Sequence, residues 1–113
     1  MIKEFYPALI TSLPEADIPM AGVRGKLLQS ERGQVVFFEI SATAKVPPHA
    51  HGAQWGVVLD GEMELTIDKD TRTYRKGDTY FIPAGVTHAA TFKTRCRVLD
   101  LFADRDRYHT KTK

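Results

Sequence analysis

Turn-forming residues interrupt this chain so often that long helices have no room to form. Its 8 glycines and 6 prolines recur every few positions instead of gathering in a linker, so no internal boundary is legible. Between these breaks the hydrophobic pattern has a period of two. In Glu62-Met63-Glu64-Leu65-Thr66-Ile67, the residues Met63, Leu65 and Ile67 share one face and Glu62, Glu64 and Thr66 the other, the pattern of a half-buried strand. Further strands are expected at 23–29, 34–40, 54–59, 71–74, 79–82, 89–92 and 97–102, where β-branched and aromatic residues are frequent. Many short strands at this spacing give an all-β sandwich or barrel. Only the stretch from 104 to 113 hints at a helical period, and its Arg, Lys and Thr content predicts a solvated polar tail.

Size and charge narrow the function classes. A chain of 113 residues suits one domain with one core. The net charge of +2, with its basic excess concentrated near the end, is too small for a nucleic-acid surface. Apolar runs such as Val35-Val36-Phe37-Phe38 are far shorter than the roughly 20 residues that span a bilayer. The opening Met1-Ile2-Lys3-Glu4-Phe5-Tyr6-Pro7 has an acid and a proline where a leader needs an apolar run, which predicts a cytoplasmic protein. Cys96 is the single cysteine and reads as a buried thiol, with no disulfide framework available.

Chemistry concentrates in the histidines. His49 and His51 are two apart after Pro47-Pro48, and an extended backbone sends both rings to one face. Such a pair binds one metal ion if that face is interior; otherwise it is a pair of hydrogen-bonded surface histidines. Gly52-Ala53 can bend the chain to bring Gln54 to the same centre. His109, among Thr and Lys residues, reads as a solvated histidine.

The spacing of these residues resembles the cupin superfamily. The first cupin motif, within about 47–61, is matched by His49-Ala50-His51-Gly52-Ala53-Gln54, six residues and Gly61. The second, within about 77–92, is matched by Gly77, five residues, Pro83, one residue, Gly85, two residues and His88. The 15 residues separating Gly61 from Gly77 are typical of small single-domain prokaryotic cupins. The resemblance implies a double-stranded β-helix, or jelly roll, holding one divalent transition metal ion (zinc, iron, nickel, manganese or cobalt) on His49, His51, Gln54 and His88. Gln54 departs from the family pattern twice: it replaces the usual glutamate and follows His51 one residue early. An amide in that place leaves the ion its full charge, which attracts an anionic ligand.

The end of the chain adds candidates. Val98, Asp100 and Phe102 share one face and Leu99 and Leu101 the other. Either Asp100 points inward, as a general base or substrate ligand, or two leucines do. The run Leu99-Asp100-Leu101-Phe102 with Arg105 is similar to the ending of small cupins that linearise unsaturated uronic acids in pectin and alginate degradation. That resemblance assigns Asp100 to proton transfer, Phe102 to sugar packing and Arg105, with Arg107 as the second choice, to a substrate carboxylate. Gly56, on the Gln54 face, is expected to leave space for substrate beside the metal. Trp55 is either core or an interface anchor. A homodimer is expected from Trp55, Leu99 and Leu101, with 13–19 as an edge or exchanged strand. Three functions follow: metal-assisted isomerisation or proton transfer on a small carboxylated or carbonyl substrate, a non-catalytic sugar-binding module, or a metal-dependent dioxygenase.

Overall fold

The computed structural model describes residues 4–111; residues 1–3 of the opening stretch and the last two of the polar tail lie outside this range. A four-residue helix α1 (Ala8–Thr11) precedes nine strands: β1 (Val23–Ser30), β2 (Gly33–Ile40), β3 (Lys45–His49), β4 (Gln54–Asp60), β5 (Glu62–Ile67), β6 (Asp70–Arg75), β7 (Thr79–Ile82), β8 (His88–Phe92) and β9 (Cys96–Phe102). They form a five-stranded sheet in the order β1-β2-β9-β4-β7 and a four-stranded sheet in the order β3-β8-β5-β6. All pairings are antiparallel, so the chain is an all-β jelly roll.

Alternation places the core between the sheets. Met63 and Leu65 of β5 are buried, as are Val58 of β4, Ile82 of β7, and Cys96, Val98 and Phe102 of β9. Cys96 donates its thiol hydrogen to backbone carbonyls, the expected inert thiol. The expected strands all form, each end either as expected or extended by one residue. Absent from the sequence expectation were α1 and β3, whose Lys45-Val46-Pro47-Pro48-His49 contains two prolines without an N–H. An edge position tolerates this loss; β3 is the edge of its sheet, and its register with β8 shifts between Val46 and His49.

One expectation about the chain ends needs correction. The described segment after β9 is neither helical nor wholly solvated, because Tyr108 is buried against Phe38 and Phe102, with ring centroids 6.2 Å and 5.7 Å away. Residues 13–19, expected as an edge or exchanged strand, run along the β1 edge: Glu15 bridges Lys26 of β1, and Ala16 bridges Thr110. This segment therefore covers the β1 edge, with residues 109–111 along its other side, which satisfies backbone groups that would otherwise face water unpaired.

The motif glycines separate into two kinds. Gly61, between β4 and β5, has φ +92°, and a Cβ there would strike the Arg95 carbonyl oxygen; Gly77 has φ +91° with open space around it. Both positions disfavour a side chain, and only one is also enclosed. Gly77→Ala should therefore cost about 1 kcal/mol and Gly61→Ala about 3 kcal/mol, a difference measurable by urea denaturation.

Candidate metal centre

The four-stranded sheet supplies His49 and His88, from its neighbouring strands β3 and β8, and the turn into the other sheet supplies His51. His49 ends β3 and lies directly opposite His88 at the start of β8, while His51 follows on the turn before β4. The ring centroids are 4.2 Å apart for His49 and His88, 4.8 Å for His51 and His88, and 5.1 Å for His49 and His51. One nitrogen from each ring lies within 4.8 Å of the others.

Backbone carbonyls orient the rings. His49 Nδ1–H donates to Pro47 O at 3.0 Å, His51 Nδ1–H to Gly52 O at 2.8 Å, and His88 Nδ1–H to Val86 O at 2.9 Å. A carbonyl can only accept, so each neutral ring holds its proton on Nδ1 and directs an Nε2 lone pair elsewhere. The Nε2 atoms of His51 and His88 are buried without a hydrogen-bond partner, and so is Gln54 Oε1. Orphaned buried acceptors are rare in folded proteins. Here they converge on one cavity, lined by His49, His51, Gln54 and His88, and this donor set fits a divalent transition ion. Burial holds the His51 pKa down at about 4 and also lowers that of His88, with the Arg107 charge adding to both shifts. Both rings are therefore unprotonated and able to ligate at neutral pH.

The same cavity, about 80 Å³ in volume, is bounded by Tyr80, Asp100, Phe102 and Arg107. Of the two orientations open to β9, the inward Asp100 is the one that forms, with Leu101 outward. Tyr80 donates its hydroxyl hydrogen to Asp100 Oδ1 at 2.6 Å. Desolvation raises the Asp100 pKa to about 6, while the bonds from Tyr80 and the Gln54 side chain pull it down. Tyr80 itself is pushed well above its ordinary value, first by burial and then by the Asp100 charge.

Gly56 sits between these two residues, paired with Tyr80 on β7 and with Asp100 on β9. A Cβ at this position would collide with Asp100 Oδ1 and the end of the Tyr80 ring. The expectation that Gly56 leaves room for substrate is thus corrected: its missing side chain lets Tyr80 reach across β4 to Asp100. Arg105 is also corrected, since it is exposed and lines no part of the cavity. The cavity-lining cation is Arg107, whose guanidinium lies 4.4 Å from the Tyr108 centroid and 5.7 Å from that of Phe102. No ion pair to Arg107 occurs among the described residues, and its Nε is buried without a partner. Phe102 forms the wall beneath His51, with centroids 5.5 Å apart. Tyr80 was missed in the sequence; its alternation with Ile82 placed it inward, but nothing local marked its hydroxyl as the partner of Asp100.

The family model for the cupin domain matches residues 34–102. This chain is a cupin. No curated protein sequence matches it. Among solved structures, an RmlC-like cupin from Shewanella frigidimarina is 22% identical, with a TM-score of 0.75 over 92% of this chain and 95% of that one. KdgF from a Halomonas species is 21% identical, with a TM-score of 0.70 over 80% of this cupin and 87% of KdgF. A variant of oxalate decarboxylase from Bacillus subtilis is 20% identical, with a TM-score of 0.72 over 83% of this chain and 28% of that one. At these identities the likeness establishes the fold of the cupin and leaves its chemistry to its own residues.

Two outcomes are expected from this geometry. Elemental analysis should find close to one transition metal ion per chain, and His49→Ala with His88→Ala should reduce that content at least tenfold while β-sheet circular dichroism persists. In metal-free protein, Asp100→Asn should raise stability by about 3 kcal/mol at pH 8 and leave it nearly unchanged at pH 4. A carboxyl whose pKa is about 6 folded and near 4 unfolded opposes folding only once it ionises, so the effect should develop between those two values. Denaturant titrations at the two pH values measure it.

Proposed function

We propose that this cupin is a metal-dependent enzyme that isomerises, by proton transfer, a small molecule bearing a carbonyl and a carboxylate. The observation that carries this reading is the juxtaposition within one cavity of the buried Asp100, the unpaired cation Arg107 and the three histidines with Gln54. Asp100 loses stability by being buried, and groups held at such a cost are candidates for function. With a pKa near 6 it is ionised at neutral pH yet remains basic enough to remove a proton from carbon. It takes a proton from the carbon beside the carbonyl, the C–H electron pair moves toward the carbonyl oxygen, and return of the proton to a different atom yields the isomer. Tyr80 keeps the carboxylate in place through this exchange. Arg107 pairs with the substrate carboxylate in the planar two-bond geometry that guanidinium favours. A divalent ion bound by His49, His51 and His88, with Gln54 Oε1, supplies Lewis acidity.

The size of the cavity restricts the substrate. About 80 Å³ is the volume of two or three waters at roughly 30 Å³ each, enough for a carboxylate and the reacting carbons. A sugar acid would keep the remainder of its chain outside, packed on Phe102. Unsaturated uronates and smaller keto and hydroxy acids are accordingly the compounds to assay. Asp100→Asn should abolish turnover, by at least a thousandfold, with metal content intact. Arg107→Ala should raise KM at least tenfold, with a smaller change in kcat. Activity should rise with pH through about 6 as Asp100 ionises. Carboxylate binding without turnover in any of these assays would replace the enzyme with a sugar-acid-binding module, and oxygen consumption with an aromatic acid would replace it with a dioxygenase.

We infer further that a second copy of the chain covers the outer face of the five-stranded sheet. One row crosses all five strands there: Leu28, Val35, Leu101, Trp55 and Phe81 are successive cross-strand neighbours. Leu28 is 51% exposed, Leu101 47%, Trp55 40% and Phe81 59%, so Trp55 is not core. The row and its half-buried neighbours, Leu99 among them, offer on the order of 500 Å² of contiguous apolar surface, near the upper end of the roughly 300–600 Å² that the largest patch of a monomer reaches and often uses for function. With a polar rim this approaches the roughly 800 Å² per partner of a stable interface. A flat apolar row is complementary to its own copy related by a two-fold axis. Sedimentation at micromolar concentration should give a dimer, and Leu101→Glu with Phe81→Glu should give a monomer.

A further inference from the structure

Arg107 sits on a segment without regular secondary structure, yet a cation that recognises a carboxylate in fixed geometry must itself be held in place. One side chain does this. Gln34, at the start of β2 opposite Phe102, is 1% exposed and does not line the cavity. Its Nε2 donates to Tyr108 O at 2.8 Å and to Arg105 O at 3.1 Å, and its Oε1 accepts the Tyr108 N–H at 3.0 Å. Gln29 Oε1 also lies 3.1 Å from Nε2, so the two amide hydrogens are shared among three acceptors. Among the described residues, no other hydrogen bond reaches the backbone of residues 105–108.

The chemistry of this clasp is specific. By donating to and accepting from the same residue, the Gln34 amide reproduces with a side chain the pairing that a neighbouring strand would make. A glutamate would keep the acceptor and lose the donors, and a methionine of similar volume would lose both. Loss of the clasp would strand buried backbone groups of Tyr108 and free the only stretch that carries Arg107. The guanidinium depends on Tyr108 in another way, because that ring is one of the two aromatic faces on which it rests. Since Arg107 has no acidic partner among the described residues, this stacking and the clasp define its position.

We propose that Gln34 is a positioning residue for Arg107 and thereby sets the affinity of the cavity for carboxylated ligands without touching them. The inference rests on the reading of Arg107 as the carboxylate partner. The test uses the full chain carrying one zinc ion, with pyruvate as the probe, titrated by saturation-transfer NMR. The variants are Arg107→Ala, Gln34→Met and Gln34→Glu. Gln34→Met should weaken pyruvate binding at least tenfold, approaching Arg107→Ala. Gln34→Glu, which keeps the bond from Tyr108 N–H but sets a carboxylate oxygen against the Tyr108 and Arg105 carbonyls, should weaken binding at least as much as Gln34→Met. Zinc stoichiometry should remain at one per chain. Amide exchange at Arg107 and Tyr108 should accelerate at least tenfold in Gln34→Met while β9 stays protected, a pattern that general destabilisation would not produce. Unaltered protein binding pyruvate no better than Arg107→Ala, including no binding by either, would overturn the carboxylate reading and this inference with it. Weakened binding in Arg107→Ala with normal binding in both Gln34 variants would overturn the role of Gln34 alone. If Gln34→Met does not fold, Gln34→Glu decides by the same comparison.

Discussion

Each polar side chain that strand alternation turns into the space between the two sheets loses its water, and the interior is organised around what replaces it. Cys96 finds backbone carbonyls, Gln34 finds the backbone of the chain's last segment, and Asp100 finds the Tyr80 hydroxyl. The histidines find a carbonyl for Nδ1 and nothing for Nε2 at His51 and His88. In an interior where a missing hydrogen bond costs on the order of 1–3 kcal/mol, acceptors left unmatched at one point are the strongest sign of a ligand that is not part of the chain. The apolar core and the candidate centre are thus two results of one desolvation rule. Where alternation delivers Val58, Ile82 and Val98 the interior is complete, and where it delivers His88 and Gln54 it requires a partner.

Local backbone geometry turns this requirement into a site. His49 and His88 each bond the carbonyl two residues earlier, so the same short turn is used on two neighbouring strands of one sheet. Gly56 makes the other half possible, because only a residue without a side chain allows Tyr80 to reach Asp100 across the strand between them. The carboxylate and the imidazoles then share a cavity too small for bulk water to screen them, which is the condition under which fixed charges and dipoles act most strongly.

Coverage of the barrel differs between its faces. The β1 edge is protected by residues 13–19, through the bridge of Glu15 to Lys26. The broad outer face of the same sheet has no such protection, and there the aromatic and leucine residues form an uninterrupted row. Polar groups at an edge can be satisfied by a short crossing segment, whereas an apolar face requires area. This asymmetry explains why the chain's own segments close the edge and leave the outer face open to the second copy proposed above.

Most of this was legible in the amino-acid order because it depends on short range. Period-two alternation marked which residues of β4, β5 and β9 share a face, turn residues marked where strands end, and motif spacing singled out His49, His51 and His88. Alternation alone left Asp100 with two choices, and only the packing of β9 between β2 and β4 decided that it turns inward with Phe102. Other features depended on residues far apart in the chain. The amide of Gln34 meets Tyr108 seventy-four positions later, and the hydroxyl of Tyr80 meets Asp100 twenty positions later; neither pairing has a local signature. The choice of Arg107 over Arg105 turned on the path of a segment with no periodicity to read, one held by a single buried amide. Local sequence determines the direction in which a strand points its side chains, since that is a property of backbone geometry. The tertiary structure determines which of those side chains meet, because that depends on the order in which strands pair.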